Sequence, residues 1–425
     1  MDAKELRGFV PELNAFVGRF DDCFSNQPCR EHLPVYIQGQ ASDLDRKSVE
    51  PIALRAGIAP RTLQEFLSLL NWNQDRMRQR TQEIVATEHA GPHSIGLIDE
   101  TSFVKKGTKS PGVQRQWCGT LGKVENCVVT VHLGYVVDEF HCLLEGELFL
   151  PESWDNDRER CAAAGIPETV RYRPKWQIAL EQYDRAVANG VRFEWLTFDE
   201  HYGSKPEFLR ELSKRKQAWV AEVPKNVHGW LSRPSTTNSP RRTSPRGRRP
   251  KGPCLLKGSP PARRLDELLK RHPKLRDQPW QRYRFDERSQ GPSVWEAKHV
   301  RLHVKGEDGL PGETWHLVVA RHVLQQGEVK YFLSNAADET ATETLLWVAL
   351  TRHRVEQCFK EQKSQLGLDH YEGRTYIGFV RHLALTCVSY LFLTRAVLRR
   401  REKKSGVDRP AGPSGAGRPD QRHVA

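Results

Sequence analysis

The sequence has no run of eighteen apolar residues, and 38% of its 425 residues are hydrophobic. Buried cores are expected from that share, and a membrane-crossing helix is not. The first residues, MDAKELRGFVPELNAF, carry charge where a signal peptide needs an apolar stretch, so export is not expected. No basic amphipathic helix with an aromatic face stands out, which argues against a membrane as partner. The nine cysteines show neither C-x-x-C spacing nor a nearby pair of histidines. An odd, scattered set predicts reduced packing thiols in a cytoplasmic protein rather than a disulfide framework or a zinc site. Acid is also missing in one long stretch: none lies between Val223 and Asp266.

What the sequence has in excess is positive charge, +13 overall with an isoelectric point near 9.3. That balance points to a polyanionic partner, nucleic acid first, without implying any sequence preference. The length predicts two or three units. The texture predicts helices over 1–90, an α/β block over 91–233, a basic Pro/Arg-rich flexible loop over 234–264, a β-rich insertion over 265–337, closing helices over 338–400 and a disordered tail over 401–425.

Within the first block, Gly57 and Pro60 divide DRKSVEPIALRAGIAPRTLQEFLSLLNWN into two short helices. Ile52, Leu54, Ile58, Leu63, Phe66, Leu67 and Leu70 are expected on the buried side. The pattern fits a helix–turn–helix that presents Arg61 to DNA, and equally a plain packing domain. From His93 onward SIGLIDETSF, NCVVTVHLGYVVD and EFHCLLEGELFLP read as strands. A helix follows over PKWQIALEQYDRAVANG, then the strand VRFEWLTFDEHYG, the helix PEFLRELSKRKQ and the strand AWVAEV. That order predicts an α/β ribonuclease H-like mixed sheet flanked by helices, with Asp99 and Asp199 at the ends of neighbouring strands. Near the C-terminus, RHRVEQCFKEQK places Arg352, Glu356 and Lys363 at offsets of four and seven, one face of an unbroken helix. Such a face is either a solvated run of ion pairs or a metal-binding carboxylate between two phosphate-gripping cations.

Taken together, Asp99 in GLIDETS, Asp199 in TFDEHYG and Glu356 in RHRVEQCFKEQK resemble the acid triad of the DDE-type transposases of bacterial insertion sequences, in the group with a Y-(2)-R-(3)-E-(6)-K signature. Arg352, Glu356 and Lys363 match that spacing, Tyr202 and Gly203 match its D-(2)-Y-G form, and Ala349 stands where the signature has tyrosine. The resemblance covers roughly residues 35–395. It implies two Mg²⁺ ions, for which Mn²⁺ substitutes, with Asp99 bridging both and Asp199 and Glu356 holding one each. It further implies Arg352 and Lys363 on the DNA backbone, with Tyr202, Lys360 and Arg61 as further candidates. The expected activity is cleavage and joining of double-stranded DNA at terminal inverted repeats and a target, by a homodimer or larger assembly in the bacterial cytoplasm, on the nucleoid when bound to DNA. Glu100 and Glu200 are expected to be bystanders. Trp280, Trp295 and Trp315 are expected in packing or on an unstacked base. An inactive remnant and a non-enzymatic DNA-binding regulator are the competing expectations.

Overall fold

The computed structural model describes residues 3–238, 252–287, 291–324 and 328–405. Five helices come first: α1 Ala3–Val17, α2 Gln27–Gln40, α3 Val49–Arg55, α4 Pro60–Ser68 and α5 Gln74–Glu88. The Asn26 and Asn73 side chains cap α2 and α5 by accepting from the first free backbone N–H groups. Gly57 leaves α3 with φ +70° and Pro60 opens α4, as their positions predict. Ile52, Leu63, Phe66 and Leu67 are buried, whereas Leu54 is 63% exposed. Leu54 lies two residues from Ile52, and positions so spaced face different sides of a helix.

The central sheet then forms from β1 Ile95–Val104, β2 Gln114–Cys118, β3 Lys123–Val137 and β4 Phe140–Leu148, followed after the crossover helices by β5 Trp195–Phe198 and β6 Trp219–Val223. Helices α6 Glu152–Asp155, α7 Arg158–Ala163 and α8 Lys175–Ala188 lie between β4 and β5. Helices α9 Glu200–Gly203 and α10 Pro206–Lys214 lie between β5 and β6. Strand β1 pairs antiparallel with β3, and β3 with β4, while β1, β5 and β6 run parallel. This β4–β3–β1–β5–β6 order is that of a ribonuclease H-like core. A hairpin turn at Asp138, with φ +51°, joins β3 to β4 as expected. Strand β2 was not anticipated: QRQWC is short and half polar, and it forms only as an edge on β3.

The β-rich block extends this sheet. After β7 His228–Trp230, β8 Thr236–Thr237, β9 Cys254–Leu255, β10 Arg263–Arg264, α11 Leu265–Arg271 and α12 Pro273–Arg276 come β11 Gln281–Glu287, β12 Gly291–Lys305, β13 Pro311–His322 and β14 Val329–Ser334. Strand β14 pairs with β6, so the block continues the mixed sheet through β13, β12 and β7 to β10. Part of the expected basic loop, residues 239–251, lies outside the described residues, as do residues 406–425 of the expected tail. Trp315 is buried against Trp219 with ring centres 5.0 Å apart, Trp295 meets the His322 ring, and Trp280 lies beneath Lys298 and Arg321.

The chain closes with α13 Thr342–Thr351, α14 His353–Glu361 and α15 Tyr376–Ser405. One expected helix over Thr340 to Ser364 is instead broken at Arg352 and ends in a π-turn over Gln362–Leu366. Helix α15 is the exception to the expected lack of a membrane-length helix. Its Tyr376–Arg401 stretch is long and apolar enough by composition, but 83% of its apolar window is buried inside the protein. Charged residues within it hid this from a search for an uninterrupted apolar run, and those residues have partners. Arg381 donates to the carbonyls of Leu67, Leu70 and Trp72 at 2.8–3.2 Å. His382 hydrogen-bonds Tyr36 at 2.9 Å, and Gln40 bridges Thr386 and Ser389. The N-terminal helices and α15 therefore share one core. All nine cysteines are free, and eight of them are buried.

Candidate active site

Parallel pairing of β1 with β5 sets Ile98 opposite Phe198, so the next residues of the two strands, Asp99 and Asp199, emerge side by side. Asp99 is 8% exposed. One carboxylate oxygen accepts from the Glu100 backbone N–H at 2.7 Å, and the other accepts from the Arg352 guanidinium at 3.1 Å. Asp199 caps α9, accepting from the N–H groups of His201 at 3.0 Å and Tyr202 at 3.3 Å. Burial, and then the Asp199 charge, push the Asp99 carboxyl up to about 7, against which Arg352 pulls it down. Burial likewise raises Asp199, again with Arg352 opposing.

Arg352 sits at the break between α13 and α14, where it meets several acids. Besides Asp99 it reaches Glu356 at 3.2 Å and Glu222 of β6 at 3.9 Å. Its own burial works against the charge, but Asp99, Glu356, Glu222 and Asp199 more than offset this and hold it protonated. The guanidinium thus stands between the two aspartates and Glu356, whose side chain is 60% exposed. Among the described residues, no group of three or more His, Cys, Asp and Glu side chains converges closely enough to hold a metal ion. The structure brings Asp99 and Asp199 together and ties Glu356 to them through Arg352.

Lys363 lies in the π-turn, where it faces the sheet. There its ammonium donates to the Ser102 carbonyl at 3.1 Å and to Thr120 Oγ1 at 2.9 Å. Burial lowers its pKa. Lys360 is exposed on α14. Arg61 is also exposed and pairs with Glu65 four residues on, within α4. Tyr202 is fully buried, with no hydrogen-bond partner for its hydroxyl. Gly203 follows it for a steric reason: a Cβ there would lie 2.0 Å from the Glu222 carbonyl oxygen. Ala349 is buried on α13.

Glu100 points to the other face of β1, where Lys175 pairs with it at 2.7 Å. Two neighbours escaped the sequence reading. Glu222, in the strand AWVAEV, lies beside Arg352 and binds Lys330 at 2.9 Å. His132 stands opposite Asp99 on β3, bonds Thr130 at 2.7 Å, and is held neutral by burial, which lowers it to about 3. An acid on the strand next to β5 was the available signal for Glu222. His132 offered none.

The sequence matches the family described as DDE superfamily endonuclease over residues 19–292, a span that contains Asp99 and Asp199 and stops before Glu356. It is also 30% identical over 190 residues to a probable transposase for insertion sequence element IS701 from Microchaete diplosiphon. The aligned part is 44% of this chain and 47% of that protein, so the chain matches about half the length of this relative.

Proposed function

This chain belongs to the DDE superfamily endonuclease family, and from that premise we propose that it is the transposase of an insertion sequence, cutting and joining DNA at the element's ends. The observation that carries the reading is the Asp99–Asp199 pair, a buried and a half-buried carboxylate side by side where β5 ends against the middle of β1, both with raised pKa values. Buried acids that resist ionisation want a cation. The family implies a divalent metal, and hard carboxylate oxygens suit Mg²⁺. The carboxylate chemistry of Asp99 and Asp199 suits such an ion: these two would hold the metal, and Glu356, now paired with Arg352, would complete the set once that ion pair opens.

When bound, divalent ions would activate the attacking oxygen and stabilise the leaving oxygen in an in-line displacement at phosphorus. The chain's own residues do the rest. Arg352 grips a phosphate through paired N–H donors once a metal takes over the charge of Asp99. Asp199, fixed by two backbone N–H groups, keeps its carboxylate aimed at the site. Lys363 pins the π-turn to β1, and so fixes where α14 presents Glu356. A +13 chain meets the DNA backbone around this centre, and two paired ends call for at least a dimer.

The test is cleavage of a labelled duplex carrying the DNA that flanks this gene, in Mg²⁺ or Mn²⁺, by the native chain and by Glu356→Gln. Cutting by the native chain alone, with binding by both, supports the reading. Binding without cutting by both identifies an inactive remnant, and cutting by both removes Glu356 from the triad.

A further inference from the structure

A further acid continues the row begun by the two aspartates. Ile98 pairs with Phe198, and Phe198 with Ala221. The residues that follow, Asp99, Asp199 and Glu222, therefore stand at one level of β1, β5 and β6 and on one face. Neighbouring strands lie roughly 4.8 Å apart, so Glu222 adjoins Asp199 and sits about two strand spacings from Asp99. The Arg352 guanidinium spans this row. Its Nη1 lies 3.1 Å from Asp99, its Nη2 3.2 Å from Glu356, and its Nε 3.9 Å from Glu222.

Glu222 is itself fixed. Its other carboxylate oxygen accepts from Lys330 of β14 at 2.9 Å. Lys330 is two residues from Phe332, the cross-strand partner of Glu222, and so points to the same face. Helix α9 covers the Glu222 backbone so closely that a Cβ on Gly203 would meet its carbonyl oxygen at 2.0 Å. The Glu222 and Arg352 side chains are only 16% and 19% exposed, so solvent ions screen their attraction little.

The reading above gives the charges of Asp99 and Glu356 to metal, which takes from Arg352 its two nearest anions. A guanidinium left beside added positive charge is repelled unless another anion holds it. Asp199 is already engaged with the backbone of α9, whereas Glu222 keeps one oxygen on Lys330 and turns the other to Arg352.

We propose that Glu222 is a positioning residue: it holds Arg352 by its Nε edge, and leaves the two Nη groups to be presented to a DNA phosphate. This rests on the metal-dependent DNA reading above. Glu222 itself touches neither the phosphate nor the reacting oxygens.

The test uses the full chain as native protein, Glu222→Gln, Arg352→Gln and the double variant, with a duplex carrying the gene's flanking DNA. Affinity is measured by gel shift with chelator and again with Ca²⁺, a hard cation that takes the same oxygen ligands; cleavage is measured with Mg²⁺. With chelator, Glu222→Gln is expected to keep or gain affinity, because Arg352 then rests on Asp99 and Glu356 and a negative charge has gone. With metal it is expected to lose roughly tenfold in affinity and roughly tenfold or more in cleavage rate, as for one charge-assisted contact. Where Arg352 is already replaced, Glu222→Gln should cost nothing further. Equal losses with and without metal, or losses that simply add to those of Arg352→Gln, give Glu222 a structural role and overturn the proposal. If native protein binds and cuts and Glu222→Gln matches it with metal, the proposal is also refuted and the function stands. Native protein that neither binds nor cuts removes both. Should Glu222→Gln fail to fold, Glu222→Asp, which keeps the charge but draws it back from Arg352, carries the same comparisons.

Discussion

Replacing Asp99 by asparagine in metal-free protein should make stability less sensitive to pH. The folded-state pKa of Asp99 is raised from 3.8 to about 7, so the ionised form is the one that folding disfavours. The wild-type chain therefore loses stability as pH rises from about 4 to about 7 and does not regain it above. The loss follows 1.36 kcal/mol per pH unit across that window, which comes to about 2.5 kcal/mol between about pH 5 and about pH 8. The asparagine side chain carries no charge to lose. The replacement also removes the ion pair to Arg352, whose pull on the ionised form is already contained in the raised pKa. Urea titrations of both proteins with chelator present measure it. The stability of Asp99→Asn relative to wild type should rise with pH by about that amount, and excess Mg²⁺ should flatten the gradient. A flat difference without metal, or one that falls with pH, refutes the reasoning.

Gly203→Ala should abolish cleavage and cost at least about 1–3 kcal/mol, as overpacking does, because the new methyl meets the Glu222 carbonyl at 2.0 Å. A denaturation curve and the cleavage assay check both effects. Tyr202→Phe should leave stability unchanged or raise it by about 1 kcal/mol, since the lost hydroxyl is buried with no partner; a clear loss would show that the hydroxyl has a role. Lys363→Met should keep the fold but loosen the attachment of the π-turn to β1, lowering cleavage more than end binding in a gel-shift comparison. Arg352→Gln leaves Asp99 without its counter-ion, and should extend the loss of stability described for wild type to higher pH.

How much of this was legible depends on the range of the interactions. The strand and helix order from His93 to Val223 could be read because period-two and period-3.6 patterns are local. Asp99 and Asp199 could be placed side by side because strand order fixes which strands are neighbours, although β1 runs on to Val104 and leaves Asp99 mid-strand rather than at its expected end. The break at Arg352 and the π-turn were not legible. Arg352 and Lys363, which sit at these two irregularities, touch residues more than two hundred positions away.

The sequence alone determined the positive charge and the ribonuclease H-like order of elements that sets Asp99 beside Asp199, because each is encoded in neighbours along the chain. Tertiary structure alone decided that α15 is a core helix shared with the N-terminal helices, since its apolar face has no direction until something packs on it. It also decided that Arg352 stands among the acids. Burial sets that arrangement: two carboxylates taken out of water draw in the nearest cation, and nothing in the spacing of RHRVEQCFKEQK says which charge that will be.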